Sequence, residues 1–116
     1  MTLPTNLNHV ETEAELKDLI ASKENVMVCC GRMGPMCVPV YGVMEDLQNS
    51  GDYDGVDFRD MAFDSPEADY IRSLPECQGF RGLPFTVYFK NGEVAAATSS
   101  IQTKDQITAI LDEKLK

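Results

Sequence analysis

The sequence predicts an α/β fold with a mixed central sheet, parallel in its first half and completed by an antiparallel hairpin, with helices on both faces. Three observations lead there. Short apolar runs alternate with stretches whose apolar residues recur at helical spacing. An Asn-Gly pair, Asn91 and Gly92, joins two strand-like runs. The chain has 116 residues, 43% hydrophobic and 25% charged, a size and mixture that suit one core. Residues 1–116 are therefore expected to form a single domain, with 1–10 as an N-terminal lead-in segment.

Each element has its own signal. Thr12 and Glu15 match a capping box, and Leu16, Leu19, Ile20 and Lys23 follow at helical spacing, which predicts a first helix over about 12–23. "NVMVCC" is a short apolar run ending at Gly31, as expected of a parallel strand covered on both faces. Val40, Val43, Met44 and Leu47 then mark one helix face that Asn49, Ser50 and Gly51 terminate. Pro39 lacks a donor that a first helical turn does not use, so this helix starts within a residue or two of Cys37.

"GVDFRDM" alternates as a third strand. Ser65 and Pro66 read as N-cap and first residue of a helix that carries Ala68, Ile71 and Leu74 on one face as far as Pro75. "FTVYFK" and "EVAAA" form the hairpin, and Thr103 with Gln106 caps a last helix that turns Ile107, Ile110 and Leu111 inward. In such a sheet the carboxyl ends of the parallel strands are where ligands bind, and Cys30 to Cys37 lie there.

Composition excludes several classes. Ten Lys and Arg against nineteen Asp and Glu give a net charge of −9, which repels phosphate backbones and anionic lipid, so no nucleic acid or membrane partner is expected. No basic start leads into an apolar run, and no stretch reaches the roughly 18 apolar residues of a membrane span. A cytoplasmic protein with reduced thiols is the expectation. Its four cysteines, Cys29, Cys30, Cys37 and Cys77, miss the spacing of structural zinc sites, and the one histidine is His9, so no metal or cofactor is expected.

The segment "GFRGLPFTVYFKNGEVAAA" is very similar to the part of thioredoxin that holds the cis-proline and its following hairpin, and the resemblance covers roughly residues 11–116. It implies a thioredoxin-like fold, with Pro84 as the cis-proline and Leu83 offering a backbone edge to an extended peptide or substrate. It also implies redox chemistry at a Trp-Cys-Gly-Pro-Cys turn, and here the sequence departs. It has no tryptophan, and the turn reads "CCGRMGPMC". Superposing the Gly-Pro pairs puts Met33 and Met36 where the family has its cysteines. Superposing the helix through "GVMEDL" puts Cys37 in place of the second, buried cysteine and Gly34 in place of the first. The second is preferred, because it needs no insertion in the helix and keeps its apolar face in phase.

A thiolate is the attacking species in disulfide exchange, and a helix N-terminus favours it, which singles out Cys37. Its first candidate partner is Cys30, across the turn "CGRMGPMC"; Cys29 points to the opposite face of the strand and is less favoured, and Cys77 is a candidate accessory thiol. The plainer reading of Cys29 and Cys30 is as small buried hydrophobes, and of Cys37 as a structural thiol. Met33, Gly34, Pro35 and Met36 would line the substrate side with Leu83 and Pro84. Met33, Met36 and Cys37 are also soft ligands suited to Cu(I), against the plainer role of an apolar lip that grips a partner.

Arg32 is either a donor to a thiol or substrate carboxylate, or simply solvated. The family's buried aspartate beneath the thiols has no counterpart in the strand, which carries Cys29 and Cys30; in the charged run around Asp57 and Arg59, Asp60 or a water is left as proton acceptor. The leading reading is an atypical thiol-disulfide oxidoreductase acting on a protein or small-thiol disulfide through Cys37 with Cys30, supplied with electrons by a reductase, or through Cys37 alone with an external thiol such as glutathione. The alternatives are a non-catalytic protein-binding module and a Cu(I) site.

Overall fold

The structure, a computed structural model, describes residues 3–79 and 82–115. A five-stranded sheet in the order β1-β3-β2-β4-β5 forms its centre. Its strands are β1 (Asn8–Val10), β2 (Asn25–Gly31), β3 (Val56–Ala62), β4 (Phe85–Lys90) and β5 (Glu93–Ser99). β3 lies between β1 and β2 and is parallel to both, while β4 pairs antiparallel with β2 and with β5. This is the mixed sheet expected, with one addition. Asn8–Val10, expected as part of a lead-in segment, is an edge strand in register with Arg59–Met61. Three residues are too short to carry an alternation signal of their own, and what fixes them lies some fifty residues away in Asp60.

The helices are α1 (Glu13–Ser22), α2 (Val38–Ser50), the single turn α3 (Asp69–Arg72) and α4 (Lys104–Lys114). Thr12 caps α1 by accepting the Glu15 N–H at 3.0 Å, but the Glu15 carboxylate accepts from Glu11 N–H, so only half of the expected capping box forms. At α4 both halves form, between Thr103 and Gln106. Gly51 ends α2 in the left-handed conformation at φ 81°, where a side chain would be strained. Asn91 and Gly92 likewise take positive φ, 54° and 85°, as a tight two-residue hairpin requires.

The third helix departs from expectation. Instead of one helix to Leu74, Pro66–Ala68 and Pro75–Cys77 are 3-10 turns that flank α3. Arg72 reaches back to donate to the carbonyls of Phe63 and Ser65, which holds the segment as a tight wrap rather than an extended cylinder.

Because strand side chains alternate, the sheet has two distinct cores. One, under α2 and α4, contains Met27, Cys29, Phe58, Tyr88, Met44 and Leu111. The other, under α1 and α3, contains Val28, Cys30, Met61, Phe85, Leu16 and Ile71. Burying side chains of this kind contributes about 1.5–3 kcal/mol each. No helix among the described residues is long and apolar enough to cross a membrane.

Candidate functional site

β2 ends at Gly31, the chain turns over at residues 32–36, and Cys37 is the N-cap of α2. The turn is closed by Gly34, whose carbonyl accepts the N–H groups of Cys37 at 3.1 Å and Val38 at 3.0 Å. Pro39 has no N–H, and Val40 donates to the Cys37 carbonyl at 3.0 Å. The first donors of the helix are thus committed to backbone. Cys37 stands at the helix start as expected, but its sulfur accepts instead from the Arg32 N–H at 3.4 Å.

Gly31 makes this packing possible. A Cβ there would lie 2.8 Å from the Tyr41 hydroxyl, 3.0 Å from Cys37 Sγ and 3.1 Å from Pro84 Cβ, all closer than ordinary contact. The Tyr41 hydroxyl donates to the Arg32 carbonyl at 3.0 Å and so ties α2 to the turn. Cys37, Tyr41 and Pro84 therefore converge on one backbone position.

All four cysteines are buried and unbonded. The pairing expected between Cys37 and Cys30 does not form a neighbourhood: Cys37 belongs to the core under α2, and Cys30 to the core on the other side of the sheet. The physical reason is strand alternation. α2 packs on the face to which Met27, Cys29 and Gly31 point, so the less favoured Cys29 shares a core with Cys37. Cys30 faces Cys77, which closes the second 3-10 turn behind the sheet. Burial pushes the Cys30 thiol up to about 12, with Cys77 adding to the effect and Arg72 opposing it. Burial also holds the Cys29 and Cys77 thiols above their ordinary values.

Above Cys37 lies an open, mainly apolar groove of about 410 Å³. Gly34, Pro35, Met36 and Cys37 line it from the turn and the start of α2, together with Arg32, Phe63, Gly82 and Leu83. The Leu83–Pro84 peptide is cis, as the resemblance to thioredoxin implies, and Pro84 is buried beneath. Met36 lines the groove and is 42% exposed, and Met33, 44% exposed, lies beside it without lining it, whereas Cys37 is 3% exposed at the floor. The thioethers and the thiol proposed as Cu(I) ligands thus lie at different depths, and among the described residues no three His, Cys, Asp or Glu converge as a metal site.

Arg32 holds Asp64 through two bonds of 2.7 and 2.8 Å on the exposed rim. That guanidinium keeps the Asp64 carboxyl below the usual range. Arg32, read as either a donor to a thiol or substrate carboxylate or a solvated side chain, thus has a carboxylate of its own, and it is its backbone that meets the thiol. Asp60, expected as a proton acceptor, pairs in register with Cys29 and is fully buried on that face. Burial raises its pKa despite opposing hydrogen bonds. One oxygen accepts from the Thr5 hydroxyl and the other lies 2.6 Å from His9 Nδ1, so Asp60 fastens the N-terminal segment to the sheet. Asp57 is held by Arg59 at 2.8 Å.

Sequence reasoning missed Tyr41, Thr86, Tyr88 and Thr98. Tyr41 sits one turn after Cys37, a spacing that puts both on one side of the helix. Thr86 lies directly opposite Cys29, a neighbour that only the strand register reveals.

No family model and no curated protein matches the chain. Solved structures do. A thioredoxin from Malassezia sympodialis is similar at a TM-score of 0.76 with 18% identity, over 95% of this chain and 94% of that one. A thioredoxin from Halobacterium salinarum gives 0.76 with 20% identity, over 100% and 96%. One from Plasmodium falciparum gives 0.73 with 18% identity, over 92% and 98%. Identities this low carry the architecture and leave the chemistry to the residues in place. The sheet order, the cis-Pro84 beside the start of α2 and the fit to these structures along nearly the whole chain make this a protein of the thioredoxin fold.

Proposed function

We propose that this protein carries out thiol-disulfide exchange on an extended peptide or small disulfide bound in the groove beside Pro84, with Cys37 as the attacking thiol. One observation carries the reading: of the four cysteines, Cys37 alone lines the open groove. The Cys37 thiolate attacks one sulfur of the substrate disulfide, a mixed disulfide forms, and the other substrate sulfur leaves as a thiolate that takes up a proton. A second thiol then attacks Cys37 or its partner sulfur and releases the product, and a reductase or small thiol returns the electrons. Met33 and Met36 supply an adaptable apolar lip for the bound segment, and the net charge of −9 disfavours strongly acidic partners.

The test is reduction of insulin in the presence of dithiothreitol, comparing the wild type with Cys37→Ser. The expected result is at least a ~10-fold slower reaction for the variant, the scale on which loss of a nucleophile is felt. Equal rates above the dithiothreitol background would sink the proposal.

A second reading, a binding module without chemistry, is favoured by Gly34, which carries no thiol, standing where the resemblance puts the family's first cysteine, and by the depth of Cys37. It predicts that a peptide captured by the groove binds equally well to the wild type and to Cys37→Ser, and that neither reduces insulin.

A further inference from the structure

We infer that Cys29, on the same face of the sheet as Cys37, is the thiol that resolves the mixed disulfide formed at Cys37. The inference rests on the exchange chemistry proposed above and adds the second reacting group. It also reassigns the role that sequence spacing gives to Cys30.

The first support is geometric. Cys29 and Gly31 are two residues apart on β2 and point to the same side, about 6.5–7 Å from one another. The Cβ position of Gly31 is only 3.0 Å from Cys37 Sγ. Since Gly31 has no side chain, nothing from β2 stands between the Cys29 thiol and the space that Cys37 occupies. Both thiols belong to one core, and Cys37 is the ionisable group that acts most strongly on Cys29, ahead of Cys30 and Asp60. For Cys30 the order is reversed: Cys77 acts most strongly and Cys37 least.

The second support is independent of the first. Among the described residues, three buried hydroxyls find no partner within ordinary hydrogen-bond geometry, Thr86 Oγ1, Tyr88 OH and Thr98 Oγ1, and the one group that Thr86 bears on is the Cys29 thiol. Thr86 is directly opposite Cys29, Thr98 is directly opposite Thr86, and Tyr88 is two residues along β4 on the same face. Unsatisfied buried polar groups are rare and call for an explanation at each site. Here all three lie on one face of the sheet, with Thr86 next to Cys29 and Thr98 one strand further out. Thr86 already bears on Cys29 in the direction that favours its thiolate, and Tyr88 is close enough to feel a charge there. With Cys29 protonated these hydroxyls lack a strong acceptor. With Cys29 ionised, the sulfur becomes one for Thr86, a donor already in place that lowers the cost of forming the anion inside the core.

The step balances. After the first exchange, Cys37 is joined to a substrate sulfur. Cys29 attacks Cys37 Sγ; the substrate–Cys37 bond breaks and a Cys29–Cys37 bond forms. The substrate sulfur leaves with the electron pair of the broken bond and takes the proton that Cys29 gives up. Two electrons have passed from the two thiols to the substrate disulfide, and an external dithiol restores them.

The test uses one equivalent of dithiodipyridine, a symmetric aromatic disulfide whose released halves absorb light, followed by intact-mass and peptide mapping. The wild type and Cys30→Ala are expected to release both halves, retain no adduct and yield a Cys29–Cys37 crosslink. Cys29→Ala is expected to hold one half as an adduct on Cys37 and clear it at least ~10-fold more slowly. Clearance by Cys29→Ala at the wild-type rate, or a Cys30–Cys37 crosslink in the wild type, overturns the inference. A wild type that keeps its adduct also overturns it, while leaving one-thiol exchange standing. A Cys37 that never reacts removes the exchange reading itself. Should Cys29→Ala fail to fold, the crosslink formed in Cys30→Ala decides alone.

Discussion

The two faces of the sheet are built from the same strands and behave as different materials. The face under α1 and α3 is filled by Val28, Val87, Phe85, Phe89 and Ile71, and its two thiols, Cys30 and Cys77, sit among them. The face under α2 and α4 is wetter in composition. It holds Asp60 with Thr5 and His9, the Tyr41 hydroxyl, the buried hydroxyls of Thr86 and Tyr88, and the thiols of Cys29 and Cys37. The groove opens onto this second face through Cys37. A Cys-Cys dipeptide is therefore divided between a core that reaches the groove through Cys37 and one that does not, and adjacency in sequence becomes separation by a sheet.

Four substitutions probe the contrast. The largest effect is expected from Gly31→Ala, which places a methyl against Tyr41, Cys37 and Pro84 at once. Overpacking at such a point costs about 1–3 kcal/mol, readable in the urea midpoint, and Cys37 should alkylate at a changed rate. A neutral outcome would mean that the groove floor is looser than its contacts indicate.

Asp60→Asn should alter the pH dependence of stability. The folded-state pKa of Asp60 is raised by burial, so the folded chain keeps a proton that the unfolded chain gives up at about pH 4. Its stabilising contribution is complete below that point and is lost as pH rises through the raised value. The variant should lack this loss in chemical unfolding followed from acid to neutral pH; an unchanged slope would remove Asp60 from the set of titrating groups.

Tyr88→Phe deletes a buried hydroxyl without a partner and should leave stability unchanged or raise it by up to ~1 kcal/mol. A clear loss would mean that the hydroxyl has found an acceptor, and the wet face would be better satisfied than it looks. Smallest of all, Asp64→Asn breaks the exposed pair with Arg32 and should leave the melting midpoint where it was, because solvent screens such pairs. A measurable drop would make the rim part of the folded core.

Local rules read well from the sequence where the partner was also local. Thr103 with Gln106, and Asn91 with Gly92, are each complete within four residues, and both formed as read. Glu15 had two N–H groups within reach and took that of Glu11, a choice that spacing alone does not settle. The segment at residues 66–77 departs from the single helix its spacing predicts because Arg72, within it, curls it back on Phe63 and Ser65. Around the groove, the sequence placed Cys37 at the start of α2 and Pro84 in a cis peptide, both as found. It could not assign faces. Alternation says that Cys29 and Cys30 diverge, but which of them meets Cys37 depends on the side to which α2 folds and on the register with Thr86. Those are properties of pairs of segments, and no single segment encodes them.

The emptiness around Gly34 has a further consequence. A Cβ built there meets nothing within 4 Å, and the residue is three positions before Cys37, the interval at which a helix start brings two side chains onto one side. Adding a thiol by Gly34→Cys would therefore displace no packed atom. A single substitution would thus set a second thiol on the groove, three positions before Cys37, without repacking the core beneath it.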